Sequence, residues 1–113
     1  MLTLDELRKY GADVDSGMAR CMNNEAFYLK LVARSVGDAT FEKLRTSIDE
    51  NKLDEAFEAA HSLKGVLGNL SLKPIYDPVV EITELLRSRT EMDYTELSEK
   101  IFSKRDELAA ICE

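Results

Sequence analysis

Between Leu53 and Leu72 the apolar side chains return every three or four residues, at Leu53, Ala56, Phe57, Ala60, Leu63, Leu67 and Leu70. That spacing fits one side of a 3.6-residue helix and not the two-residue alternation of a strand. The same rhythm recurs along the chain, and no segment sustains alternation, so the sequence predicts an all-α fold without strands. Amphipathic helices of comparable length joined by short loops make an antiparallel up-down four-helix bundle. One or two short N-terminal helices would cap one end of it. A chain of 113 residues is predicted to be one domain, 1–113, with a modest core.

Local signals set the expected boundaries. Thr3, Glu6, Leu2 and Leu7 supply a capping box and a hydrophobic staple for a helix reaching Tyr10, and Gly11 stops it. Asp15 is expected to cap a second short piece through Cys21, weakened by Gly17. Asn24 caps a helix over about residues 25–36, with Phe27, Tyr28, Leu31, Val32 and the Ser35-Val36 pair on its apolar side. Asp38 restarts a helix to about Asn51 on a stripe of Phe41, Leu44 and Ile48. After the Leu53–Leu72 helix, two starts stay open: Asp77 and Pro78 as N-cap and first position, or Pro74 opening a helix bent at Pro78. Either way it runs to about Ser88. Asp93, with Glu96 and a Met92–Leu97 staple, begins the last helix, which carries Tyr94, Leu97, Ile101, Leu108 and Ile111 inward.

Composition excludes several classes of function. The net charge of −7 and the lack of a basic stripe argue against nucleic acid and against an anionic membrane surface. No apolar run approaches the ~18–20 residues of a membrane span, and the chain does not open with a signal-peptide pattern. Cys21 and Cys112 read as thiols of a reducing compartment, with a disulfide left open by the sequence. The expectation is a cytoplasmic monomer. One histidine and two distant cysteines make no metal site, and no glycine-rich loop follows a strand to hold a nucleotide. The chain is therefore expected to have no cofactor of its own and no ATP hydrolysis.

The chemistry concentrates at His61, the sole histidine. At about 100° per residue, the stripe of its helix turns it away from the core. Neutral imidazole, with a reference pKa of ~6.5, is a competent nucleophile near neutral pH. Lys64, one turn on, would meet the negative charge of an incoming phosphoryl group. Gly65 and Gly68 flank the same direction, although each costs ~1 kcal/mol of helix stability relative to alanine. Two such costs beside one exposed histidine suggest that close approach of a partner matters there. Glu58 and Asp54, nearer the helix start, join the glycines as partner-facing positions.

Ala60-His61-Ser62-Leu63-Lys64-Gly65, followed by Gly68-Asn69-Leu70, resembles the signature of histidine-containing phosphotransfer domains. Tyr10-Gly11-Ala12-Asp13-Val14-Asp15 and the later Phe27-Tyr28-Leu29 are similar to the N-terminal half of bacterial stand-alone members. The resemblance implies a four-helix bundle and reversible exchange of a phosphoryl group between His61 and an aspartate of a response-regulator receiver domain. Partners would be receiver domains or a hybrid sensor histidine kinase, with Mg²⁺ supplied by the receiver. It implies that His61 carries the phosphoryl group, that Lys64 neutralises it, and that Gly65 and Gly68 let the receiver dock. Val66 and Leu67 stand where many members have small residues, Ser71 where glycine is common, and Pro78 falls early in the next helix. The docking surface is expected to include a neighbouring helix, the one holding Phe41 and Leu44 or the one before it. The alternative is a helical adaptor that binds a signalling partner by the same face without being phosphorylated. The capping signals at the N-terminus and the late end of the last helix favour a self-contained unit over a piece of a sensor kinase.

Overall fold

The helical rhythm is realised as seven helices in the computed structural model, which describes residues 2–113. They are α1 (Leu4–Tyr10), α2 (Val14–Arg20), α3 (Glu25–Ser35), α4 (Thr40–Asp49), α5 (Leu53–Asn69), α6 (Lys73–Arg87) and α7 (Thr95–Cys112). No strand occurs among the described residues, and no helix is long and apolar enough to cross a membrane.

Side-chain caps account for the first three starts. The Thr3 hydroxyl accepts from the Glu6 N–H at 3.1 Å, and Asn24 Oδ1 accepts from the Phe27 N–H at 3.0 Å. Gly11 ends α1 at a φ of 113°, a left-handed conformation that glycine takes without strain. The second helix begins earlier than the sequence suggests. Asp13, not Asp15, is its cap and accepts from the Ser16 N–H at 3.2 Å. Gly17 sits inside it because the Tyr28 ring packs there: a Cβ would fall 2.6 Å from the ring.

The long central helix ends sooner than its stripe implies. It stops at Asn69, and Ser71 takes a left-handed φ of 55°, which reverses the chain before α6. A side chain in that region costs roughly 1–2 kcal/mol, which accounts physically for glycine being common there in the family the sequence resembles. The open choice over the prolines is resolved as well. Helix α6 starts at Lys73 with Pro74 in its first turn, where a missing N–H costs nothing. Pro78 lies inside α6 and is buried. Asp93 still serves the start of α7, accepting from the Thr95 N–H at 2.9 Å, although Tyr94 is the cap residue.

Helix α5 is the axis of the packing. It lies against α4 on one side and α6 on the other, α6 continues onto α7, and α4 also meets α7. Three alanines, Ala56, Ala59 and Ala60, are buried in α5, so both neighbours approach closely. Leu63 and Leu67 are 1% exposed, and burial of each such side chain contributes roughly 1.5–3 kcal/mol. Phe41 of α4 meets Phe102 of α7 edge-to-face at 6.0 Å between centroids, with Arg45 3.6 Å above the Phe102 ring. Phe102 was not legible as a core position, because it breaks the inward series of α7. Phe27, expected on the apolar side of α3, is instead 49% exposed.

Tyrosine hydroxyls tie the outer helices to this axis. Tyr28 of α3 donates to the Leu70 carbonyl at 2.9 Å, and Tyr10 of α1 donates to the Lys104 carbonyl at 2.7 Å. The Asp13 N–H donates to the Ser71 carbonyl at 3.0 Å. The N-terminal helices are thus pinned to the turn between α5 and α6 and to the later part of α7.

Burial, with the nearby Cys21 and Asp13, pushes the Tyr28 hydroxyl up to about 12. An unfolded tyrosine ionises near pH ~10. The folded state therefore holds its proton more tightly, and this contribution to stability is complete below about pH 10 and is lost as the pH climbs toward about 12. Tyr10 is raised in the same sense by burial, Glu107 and Cys112. Denaturant melts of the wild type should show falling stability across that alkaline window. Tyr28→Phe should lower stability at neutral pH by about 1 kcal/mol through the lost hydrogen bond and make the alkaline decline shallower. A decline of unchanged steepness would mean that Tyr28 does not titrate with unfolding.

Candidate functional site

The phase of α5 decides where its functional side chains go. Ala60 is fully buried and Leu63 nearly so, which places His61, one position past Ala60, on the exposed side. Among the described residues no hydrogen bond holds either imidazole nitrogen. The ring is held by stacking instead. Phe57, one turn earlier, lies 5.8 Å from it between centroids, with 18° between the planes. The Arg87 guanidinium of α6 lies 5.2 Å from the centre of the same Phe57 ring, and its Nε is 3.4 Å from Glu84. Face-on stacking leaves both ring nitrogens open in the plane of the ring, the direction from which an electrophile must come.

A shallow groove runs from His61 toward the end of α5. Lys64, Gly65, Gly68 and Asn69 line it from the same helix, Arg20 from α2 and Tyr76 from α6. The structure thus brings together four of the sequence-predicted residues: His61, Lys64, Gly65 and Gly68. Lys64 is half-buried at the groove wall, one turn from His61.

The two glycines have different surroundings. Nothing lies within 4 Å of where a Cβ on Gly65 would stand, so Gly65 leaves open space beside the imidazole. At Gly68 a Cβ would fall 2.9 Å from Tyr76 Cε1, so that glycine seats a tyrosine of α6. Only Gly65 clears the face. Gly68 also offers its carbonyl to Arg20, whose Nη1 lies 3.4 Å from it and 3.4 Å from Asn69 Oδ1.

Asp54 and Glu58 are exposed but do not line the groove. Asp54 contacts Arg89, just past α6, at the other end of the helix pair. Phe41 and Leu44 are buried, and no residue of α4 lines the groove. The flanking elements are α2 and α6. Helix α3, the other helix considered, lines an adjoining cleft through Phe27 and Leu31. Sequence reasoning missed Arg20 and Tyr76, which come from other helices and carry no local signal. Phe57 belongs by its spacing to the core stripe, yet its offset of four from His61 is also a stacking distance on a helix.

A family model described as Hpt domain matches residues 33–113. The match begins within α3 and leaves residues 1–32 outside it. No curated protein and no solved structure matches the chain.

The contrast between the glycines is measurable. Gly65→Ala should raise stability by up to ~1 kcal/mol, the helix-propensity difference, because its methyl enters open space. Gly68→Ala should gain less or lose stability, and it should shift the Tyr76 ring resonances by NMR. Equal gains from both, with Tyr76 unmoved, would show that Gly68 is not kept small by that ring.

Proposed function

The chain belongs to the Hpt domain family, whose members serve histidine phosphotransfer in phosphorelay signalling, and on that premise we propose that His61 is the phosphoryl carrier. The single observation that bears most weight is an exposed imidazole with both nitrogens unbonded beside Lys64 and the open space over Gly65. The partner is a receiver domain phosphorylated on aspartate, docked over the groove with its own Mg²⁺. The lone pair of the unprotonated imidazole nitrogen attacks phosphorus. The bond from phosphorus to the aspartyl oxygen breaks, and its electron pair stays on the carboxylate. Lys64 meets the phosphoryl charge as a point cation. Return of the group to another aspartate is the same step reversed.

The groove is shallow and open, so this protein supplies half of a reaction centre; it is read as a monomeric carrier of the cytoplasm. Helices α4 to α7 are read as the antiparallel up-down four-helix bundle, with α1 and α2 capping one end. The packing of α4 and α6 on α5, the Phe41–Phe102 contact and the tie from Tyr10 to Lys104 support this arrangement.

The test uses purified receiver domains from the same genome, phosphorylated chemically and mixed one at a time with this protein. An acid-labile, base-stable phosphoryl group should appear on the wild type and be absent from His61→Gln. Transfer that persists in His61→Gln would defeat the proposal. Lys64→Ala should slow transfer at least about 10-fold, or ~1.4 kcal/mol of barrier, with an unchanged helical circular-dichroism signal. Loss of that signal would make Lys64 a structural residue instead.

A further inference from the structure

Beyond the groove at His61, a second cleft opens on the α2–α3 side. The two share Arg20 and Asn69, and the second adds Cys21, Phe27, Leu31 and Leu70. Leu31, Asn69 and Leu70 then continue into a third depression that reaches Arg34 and Asp38. These clefts form one continuous face along α5. Its apolar middle is Phe27, 49% exposed, with half-buried Leu31 one turn further along α3.

The charges around that middle oppose the charge of the chain. Arg20, Lys64 and Arg34 line the face, and none of the three has a carboxylate within ion-pair distance among the described residues. The one acid on it, Asp38, has Oδ1 occupied by the Thr40 N–H at 2.8 Å. In a chain of net charge −7, three unpaired cations around an apolar centre make a locally positive face. Arg20, at the junction of the first two clefts, is only loosely held. Its two bonds, at 3.4 Å, go to a neutral carbonyl and a neutral amide, so little is lost when it turns to a carboxylate.

We propose that Arg20 and Phe27 anchor the phosphorylated protein partner, Arg20 by pairing with an acidic side chain of that partner and Phe27 by entering an apolar patch on it. This rests on the carrier role of His61 and assigns a docking function to α2 and α3, most of which lies outside the segment that the family model matches. Arg20 is bonded near Gly68, two turns from His61, or about 10 Å along the axis at 1.5 Å per residue. Its bonds hold it at the end of the groove where the second cleft begins.

The experiment separates docking from chemistry with two phosphoryl donors. One is the receiver domain that transfers fastest in the screen above; the other is phosphoramidate, too small to need a docking surface. In the second reaction the phosphorus–nitrogen bond of the reagent breaks, ammonia leaves, and a new bond forms to the imidazole nitrogen. Arg20→Glu and Phe27→Ser should each raise the KM for the receiver at least about 10-fold, and Phe27→Ser, which lies outside the His61 groove, should leave the phosphoramidate rate within about twofold of wild type. Arg20→Glu should also flatten the dependence of KM on salt. Both positions are exposed, and matching thermal melts confirm that each variant folds. A KM unchanged in both variants would overturn the proposal, and so would equal losses with both donors in Phe27→Ser. Should the wild type accept phosphate from neither donor, the carrier role itself fails. Binding of the tightest-binding receiver of the same set to His61→Gln, with and without Arg20→Glu, still tests the surface: equal affinity would overturn it.

Discussion

The rest of the structure depends on the burial of one helix from two sides. Helix α5 packs against α4 and α6 at once, and this is possible because Ala56, Ala59 and Ala60 add little bulk where the neighbours approach. Leu63 and Leu67 then fill the space further along. A helix gripped in this way has no freedom to roll, since rolling would expose the leucines and drive polar side chains into the core. The outward bearing of His61 follows from this as a consequence of core packing. No interaction of the imidazole with other polar groups is needed to aim it.

The lack of polar support at His61 suits the proposed role of accepting and releasing a phosphoryl group. A hydrogen bond to one nitrogen would fix the tautomer and occupy a potential nucleophile. Stacking on Phe57 limits the ring's rotation and leaves both nitrogens free. The surrounding charge divides in a parallel way. Arg87 is occupied by Glu84 and lies near the Phe57 ring, whereas Arg20, Lys64 and Arg34 have no acidic partner among the described residues. Much of the remaining basic surface is neutralised locally, as with Arg8, Arg45 and Lys104. Exposed pairs of that kind add little stability, but they neutralise part of the remaining positive surface.

Much of the site was legible in the sequence, because it lies on one helix and helical phase is a local property. The spacing of Ala60, Leu63 and Leu67 places His61 outside, and the offsets of Lys64 and Gly65 follow from the same geometry. Gly68 marks the reach of such local reasoning. Its small size looks like clearance for a partner, but the space is taken by Tyr76, eight residues later and on a different helix. Asp54 and Glu58 share a helix with His61 and still fall outside its groove, because helix position alone does not say where a groove runs.

The sequence by itself determined the helical class, most of the helix boundaries, and the exposure of His61 beside Lys64, since periodicity and capping act within a few residues of one another. Tertiary structure alone decided which helices border the site. Arg20 and Tyr76 are 41 residues before and 15 residues after His61, and they meet at its groove because Tyr28 and Asp13 bind the chain reversal at Leu70 and Ser71. That reversal depends on a serine held in a left-handed conformation and on hydrogen bonds from segments distant in sequence. Such contacts are fixed only when the whole chain packs, and no local pattern encodes them.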